Sequence, residues 1–194
     1  MNDTTRVRKW IDIRDVIAVA LVTVASFVVE TTLGLFLIPL VSIPLVGGLL
    51  SGFFDAIIMF TGAYLVPRRG SALLFGVLLL TMSTVTPSFG PPSPWKILIG
   101  FGIGIPIEVM LLIVGRSVPA YVSAIAVAFG LSIPMTYLVW VRFGIPGADK
   151  LKPYLLVFSI VYAVLGAIGA GAGAWLFNTR LSRYSSIKKL RQGI

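Results

Sequence analysis

The stretch IGFGIGIPIEVMLLIVG, residues 99–115, decides the fold class of this chain. It is apolar and almost as long as the 20 or so residues of helix that cross the hydrocarbon of a bilayer. It also contains three glycines at alternate positions, then Pro106 and one carboxylate, Glu108. A charged side chain is costly in hydrocarbon, so Glu108 is expected to face the interior of a helical bundle. The stretch therefore predicts an integral membrane protein with polar groups inside it.

The composition of the whole chain supports this class. The 194 residues are 57% hydrophobic and 12% charged, with a mean hydropathy of +0.99. Cysteine and histidine are both absent from the sequence, which excludes disulfides, thiolate or imidazole metal sites and His-based catalysis. The net charge is +9, but the basic residues are spread over helix ends instead of gathered on a polar domain. We therefore expect no enzymatic activity, no metal, no cofactor and no nucleic-acid partner.

Six apolar segments are candidate membrane spans, and together they predict an all-α fold with a single transmembrane domain over residues 1–194. The predicted spans cover approximately residues 16–38, 43–66, 71–85, 96–115, 120–141 and 154–177.

The distribution of Lys and Arg predicts how these spans are oriented. If both termini are cytoplasmic, twelve of the sixteen basic residues fall on the cytoplasmic side and four on the outer side. This bias follows the positive-inside rule, whereas five spans would break it. The Pro-rich segment TPSFGPPSPW, residues 86–95, then lies outside. We expect a multi-pass protein of the plasma membrane.

Three of the seven acidic residues, Glu30, Asp55 and Glu108, lie within predicted spans. Facing lipid, they would together cost on the order of 8–10 kcal/mol. Each shares a helix face with small or polar residues, which is typical of a face that packs on other helices or lines a cavity. Counting 1.5 Å per residue predicts that all three lie within roughly 5 Å of one depth, with Arg116 about two turns from Glu108. Their partner is then expected to be a ligand, a proton or hydrogen-bond donors of neighbouring helices.

Small and aromatic residues add two expectations. Gly100 and Gly104 form a GxxxG pattern, for which close helix packing is the default explanation. Aromatic side chains in the outer halves of the last two spans are suited to hold a ring system above a carboxylate. The predicted substrate-binding residues are Glu108, Glu30, Asp55, Trp95, Tyr137, Trp140 and Tyr162.

Several stretches resemble the S components of energy-coupling factor (ECF) vitamin transporters. They are WIDIRDVIAVALV (10–22), VPRRGSALLFGVLLL (66–80), the Pro-rich outer loop and GFGIGIPIEVMLL (100–112). The chain is most similar to the YkoE-like group, which is linked to hydroxymethylpyrimidine or thiamine.

This resemblance implies a six-helix subunit that captures a vitamin or vitamin precursor from outside. It also implies docking on a transmembrane coupling subunit that is driven by two ATPase subunits, so that ATP binds those partners and not this chain. In that family small residues of the first helix dock against the coupling subunit. Ala18 and Ala25 are the corresponding candidates here, on a face separate from Glu30.

Two other functions stay open from the residues. A stand-alone carrier or channel coupled to protons or ions would use the three acids as a relay, and it would transport without a partner. A structural membrane subunit would use the acids only to hold helices together, and neutral Gln or Asn replacements would leave its function intact.

Overall fold

The computed structural model describes residues 10–37, 44–86, 92–145, 148–185 and 187, without the side chains of residues 34, 35, 37 and 44–50. Its helices are α1 (Ile13–Leu37), α2 (Pro44–Leu65), α3 (Ser71–Met82), α4 (Lys96–Val114), α5 (Val118–Arg142), the short α6 (Ala148–Leu151) and α7 (Leu155–Thr179). One 3-10 turn, Ser83–Val85, extends α3. The described residues form no β-strand beyond one isolated bridge, between Trp10 and Arg69.

The six long helices coincide with the six predicted spans, and the all-helical prediction is confirmed for the described residues. Four helical segments there are long and apolar enough to cross a membrane: Ile13–Leu33, Lys96–Val114, Val118–Arg142 and Ala148–Arg183. Ser51–Leu65 and Ser71–Val85 are shorter apolar helices. The count of six spans and the cytoplasmic side of both termini stay predictions. Residues 87–91 of the Pro-rich segment lie outside the described residues.

The long helices form a closed ring in the order α1, α2, α7, α5, α4 and α3, with α3 returning to α1. α2 also touches α3 and α5 across the inside of this ring. Apolar side chains from the ring fill the core, including Phe60, Phe75, Leu80, Ile99, Ile107, Tyr121, Ile125 and Phe177.

Local sequence explains where several helices begin and end. Asp12 and Asp15 each accept a hydrogen bond from the other's backbone N–H, at 3.0 and 3.2 Å, which satisfies donors at the start of α1. The Ser117 side chain accepts from the backbone of α5 in the same way. α4 ends at Gly115, whose φ of +93° suits glycine and turns the chain back.

Glycines bring two pairs of helices into backbone contact. In the α3–α4 pair, a Cβ built on Gly100 would lie 2.7 Å from the carbonyl oxygen of Gly76. A Cβ on Gly104 would lie 2.6 Å from the Cα of Leu73. In the α2–α7 pair, a Cβ on Gly173 would lie 2.7 Å from a carbonyl oxygen of α2. The prediction that the GxxxG of α4 serves close helix packing is thus confirmed.

Two single-methyl substitutions in α4 test this packing. Gly104→Ala is expected to destabilise the fold by roughly 1–3 kcal/mol, because its methyl group would meet the backbone at Leu73, which cannot rotate away. Gly102→Ala is the matched control, since its methyl group would meet the side chain of Met135, with Cε nearest, and not the backbone of another helix. The midpoint of thermal unfolding in detergent measures both, and equal shifts for the two variants would contradict the assignment.

Candidate functional site

Asp55 of α2 is the buried carboxylate at the centre of the site, with 2% of its surface exposed. Its Oδ1 accepts a hydrogen bond of 2.9 Å from the hydroxyl of Ser26 on α1, which is itself fully buried. Its Oδ2 is buried and has no hydrogen-bond partner within the described part of the chain. Asp55 therefore keeps one acceptor site that the protein around it leaves unsatisfied.

Glu30 lies one helical turn after Ser26 on the same face of α1, so its side chain is a neighbour of the Asp55 contact. Only 1% of Glu30 is exposed, and its Oε2 accepts from the Ser83 hydroxyl at 3.3 Å. The two carboxyl groups, Glu30 and Asp55, are close enough to interact electrostatically. Two buried acids from different helices thus share one polar region.

Lys96 supplies a positive charge to this region from the first turn of α4. Its Nζ donates to the carbonyl oxygens of Ser83 at 3.0 Å and Thr86 at 2.6 Å. The side chain is also close enough to Glu30 for electrostatic attraction, and the residue is 3% exposed. Lys96 therefore ties the end of α3 to the start of α4 beside the two acids.

Tyr162 completes the site from α7. Its ring stacks on Phe129 of α5, with 5.1 Å between ring centroids and 27° between the planes. It lies against Gly52, where an added Cβ would overlap the ring. Because Gly52 lies three residues before Asp55, it shares that face of α2, and Tyr162 is within electrostatic range of both acids. A glycine on α2 thus makes room for an aromatic hydroxyl beside the carboxylates.

We name Glu30, Asp55, Lys96 and Tyr162 the acid cluster. It gathers side chains from four helices, and three of its members, Glu30, Asp55 and Tyr162, are among the predicted substrate-binding residues. The cluster presents carboxylate acceptors, an ammonium donor and a phenol beside a stacked aromatic pair. Such a set can hold a small molecule that has a flat ring and that carries either N–H donors or a positive charge.

Glu108 lies elsewhere, although the rise per residue along each span predicted one depth for all three acids. Its Oε1 accepts from the backbone N–H of Ala72, at the beginning of α3, at 2.9 Å. Glu30 contacts Ser83, which follows the end of α3, so the two acids are separated by about eleven residues or roughly 16 Å along α3. The prediction of a common depth was wrong. It assumed that spans of unequal length align at their ends.

Arg116 is the second correction, because it does reach Glu108. Its Nη2 lies 2.7 Å from Glu108 Oε2 and its Nη1 donates to the Tyr121 hydroxyl at 3.1 Å. The chain turns back at Gly115, so Arg116 folds against α4 instead of continuing away from it. Both oxygens of Glu108 therefore accept hydrogen bonds from protein groups. Glu108 lies beside the start of α3, whereas the acid cluster lies beside its end.

The aromatic residues predicted to bind substrate differ in burial and in their contacts. Trp95 is 42% exposed and stacks on Phe143, with 3.7 Å between ring centroids. Trp140 is half-buried and packs against the core, and Tyr137 is half-buried. Of this group only Tyr162 is placed in the acid cluster by the contacts described above.

The two alanines predicted to dock on a partner lie on α1. Ala25 is exposed, whereas its neighbour Ser26 is buried against Asp55. Ala18 is half-buried and packs against the core. Their role in docking stays a prediction.

Sequence reasoning missed Lys96 and Ser83 as members of this region. The signal for Lys96 was its position at the very start of an apolar span. A lysine stem is long enough to lie along a helix and carry its charge inward. Ser83 gave no signal, because its contact depends on where α3 ends relative to α1.

Comparison with known proteins bears on the fold. No protein-family model matches the chain, and no curated protein matches it. Among solved structures, the chain is similar to one described as the crystal structure of an S-component of an ECF transporter, with a TM-score of 0.61 and 17% identity. The similarity covers 95% of each chain. The ring of helices that carries the acid cluster is therefore a fold that an ECF S component also has.

Proposed function

We propose that this chain is the substrate-binding subunit of an ECF-type importer, and that it captures a vitamin or vitamin precursor of the thiamine or hydroxymethylpyrimidine kind. The observation that carries this proposal is the acid cluster, a buried polar site inside a bundle that has the fold of an ECF S component. The resemblance of the sequence stretches to the YkoE-like group supports the choice of ligand.

The chemistry of the cluster suits an aminopyrimidine. Asp55 Oδ2 is an acceptor without a partner in the described residues, and an exocyclic amine is a matching donor. Tyr162 and Phe129 offer stacked rings beside it. Trp95, Tyr137 and Trp140 stay predicted contacts for the rest of the ligand. We assign Glu108 a structural role instead, because the protein satisfies both of its oxygens.

The predicted topology supports uptake from outside. With the loop between α2 and α3 in the cytoplasm, Ser83 and the acid cluster lie toward the outer end of α3. The proposed partners are a transmembrane coupling subunit and two ATPase subunits in the plasma membrane, with ATP bound by those partners. Ala25 faces outward on α1 while Ser26 faces the site, so docking through Ala18 and Ala25 would leave the ligand face free.

A binding experiment tests the proposed ligand. Isothermal titration of the purified chain in detergent against thiamine, hydroxymethylpyrimidine, riboflavin and biotin is expected to show saturable binding of one of the first two. Affinity purification from native membranes is expected to recover a coupling membrane protein and ATPases. Failure of every vitamin to bind, together with recovery of the chain alone, would refute the proposal.

The proximity of Glu30 and Asp55 favours one second candidate, a stand-alone carrier coupled to protons. This candidate predicts vitamin or ion flux into liposomes that contain only this chain, driven by a pH gradient. The importer subunit predicts no flux under those conditions until the coupling subunit, the ATPases and ATP are added.

A further inference from the structure

The acid cluster has an uneven set of charges. Glu30 comes from α1, Asp55 from α2, Lys96 from α4 and Tyr162 from α7. Among the described residues, the 3-10 turn after α3 adds the Ser83 hydroxyl and α5 adds the Phe129 ring. Segments 38–43 and 87–91, which follow α1 and Thr86 in the sequence, contain no ionisable side chain. Two carboxylates facing one ammonium leave the region one negative charge in excess when both acids are ionised.

An excess charge cannot stay uncompensated at this depth of burial. Asp55 and Glu30 are both at least 98% buried, and Asp55 Oδ2 accepts no hydrogen bond in the described part of the chain. A buried ion without a counter-charge is strongly unfavourable, so the site takes up one positive charge or neutralises one acid. Lys96 can compensate only part of the negative charge of the two carboxylates, because its ammonium group also donates to the carbonyl oxygens of Ser83 and Thr86.

We propose that the acid cluster exchanges one proton for one organic monocation. In the ligand-free protein the carboxyl pair of Glu30 and Asp55 shares a single proton, and the arriving cation displaces that proton to the solvent. This inference rests on the proposed role of the cluster as a substrate site. It adds the class of substrate, a ring system with a single positive charge, and a pH dependence of its binding.

The shared proton can be tested without any ligand. Infrared spectra of the purified chain near pH 7 are expected to contain the carbonyl band of one protonated carboxylic acid. Asp55→Asn and Glu30→Gln should each remove this band, since either change leaves one carboxylate facing Lys96. Asp149→Asn, which alters an exposed acid of α6, is the matched control and should retain it. Absence of the band from the unaltered chain, or its persistence in both cluster variants, would overturn the proposal.

The exchange is tested with two probes that differ in charge. Thiamine carries a permanent positive charge, and hydroxymethylpyrimidine is neutral near pH 7. Calorimetry in buffers of different protonation enthalpy is expected to show about one proton released per thiamine bound and none for the pyrimidine. Because the proton competes with the cation, thiamine affinity should fall about tenfold for each pH unit lowered where the pair is protonated.

The variants and the outcomes separate this inference from the proposed function. Asp55→Asn should bind thiamine at least tenfold more weakly and without pH dependence, while circular dichroism checks that the variant is folded. Thiamine binding without proton release would overturn the exchange and leave the importer role standing. If neither probe binds, the proposed ligand is wrong, and the infrared result alone supports or overturns the shared proton.

Discussion

Arg116→Met is expected to lower the free energy of unfolding by about 3–5 kcal/mol, because it leaves the buried Glu108 carboxylate without its counter-charge. The side chains of Arg116 and Glu108 are only 7% and 11% exposed, so water would compensate little of the loss. The change also removes the donor to the Tyr121 hydroxyl. Unfolding by SDS in mixed micelles, followed by circular dichroism, measures the difference.

The same assay can compare the Glu108–Arg116 ion pair with a control arginine. The double variant Glu108→Gln with Arg116→Met should recover most of the stability, because a neutral Gln can still accept from the Ala72 N–H. Arg142→Met, at an exposed position at the end of α5, should change stability by less than about 1 kcal/mol. If Arg116→Met and Arg142→Met lowered the free energy of unfolding by equally small amounts, the ion pair would not stabilise the fold. Ligand binding is expected to survive in the double variant, since Glu108 lies outside the acid cluster.

Gly52→Ala is expected to weaken ligand binding at least tenfold by displacing the Tyr162 ring. The added methyl group would overlap that ring, and Phe129 behind it limits how far the ring can shift. The substitution adds no charge and removes no polar group, so it tests the position of Tyr162 alone. Overpacking of this kind also costs roughly 1–3 kcal/mol of stability. Calorimetry with thiamine and hydroxymethylpyrimidine, the proposed ligands, measures the affinity.

A glycine with open space around it provides the control. Gly171→Ala places the same methyl group on α7 where, apart from its adjoining residues and the backbone of its own helix, no atom of the described residues lies within 4 Å. Binding should therefore be unchanged and stability equal or slightly higher. Adding Tyr162→Leu to Gly52→Ala should relieve the overlap and restore stability without restoring affinity. Full affinity in Gly52→Ala would show that Tyr162 does not position the ligand.

The sequence was sufficient for the helices and for the interior position of the acids. Apolar length predicted where the long helices lie, and helix faces predicted that Glu30, Asp55 and Glu108 avoid lipid, as their burial confirms. The same geometry places Ser26 on the face of α1 that carries Glu30, and there Ser26 donates to Asp55. These inferences need only the geometry of one helix at a time.

What failed was the alignment of helices along their axes. The depth of Glu108 depends on how α4 is shifted against α3, and that shift is set by the contacts of Gly76 with Gly100 and of Leu73 with Gly104. No periodicity within one helix contains this information. The contacts of Lys96 and Arg116 were not predicted for a related reason. A long side chain at a helix end contacts whichever neighbour the tertiary fold brings within its reach.

The glycine contacts divide the ring into bodies that should move as units. α3 and α4 touch through backbone atoms, and so do α2 and α7, which leaves little freedom for sliding within either pair. Asp55 and Tyr162 belong to the second pair, while Ser83 and Lys96 belong to the first. The acid cluster therefore lies between two rigid helix pairs, which α1 joins on one side of the ring and α5 on the other. A ligand would enter when the two pairs move apart. In that motion, spin labels placed on α4 and α7 should separate more than two labels placed on helices of the same pair.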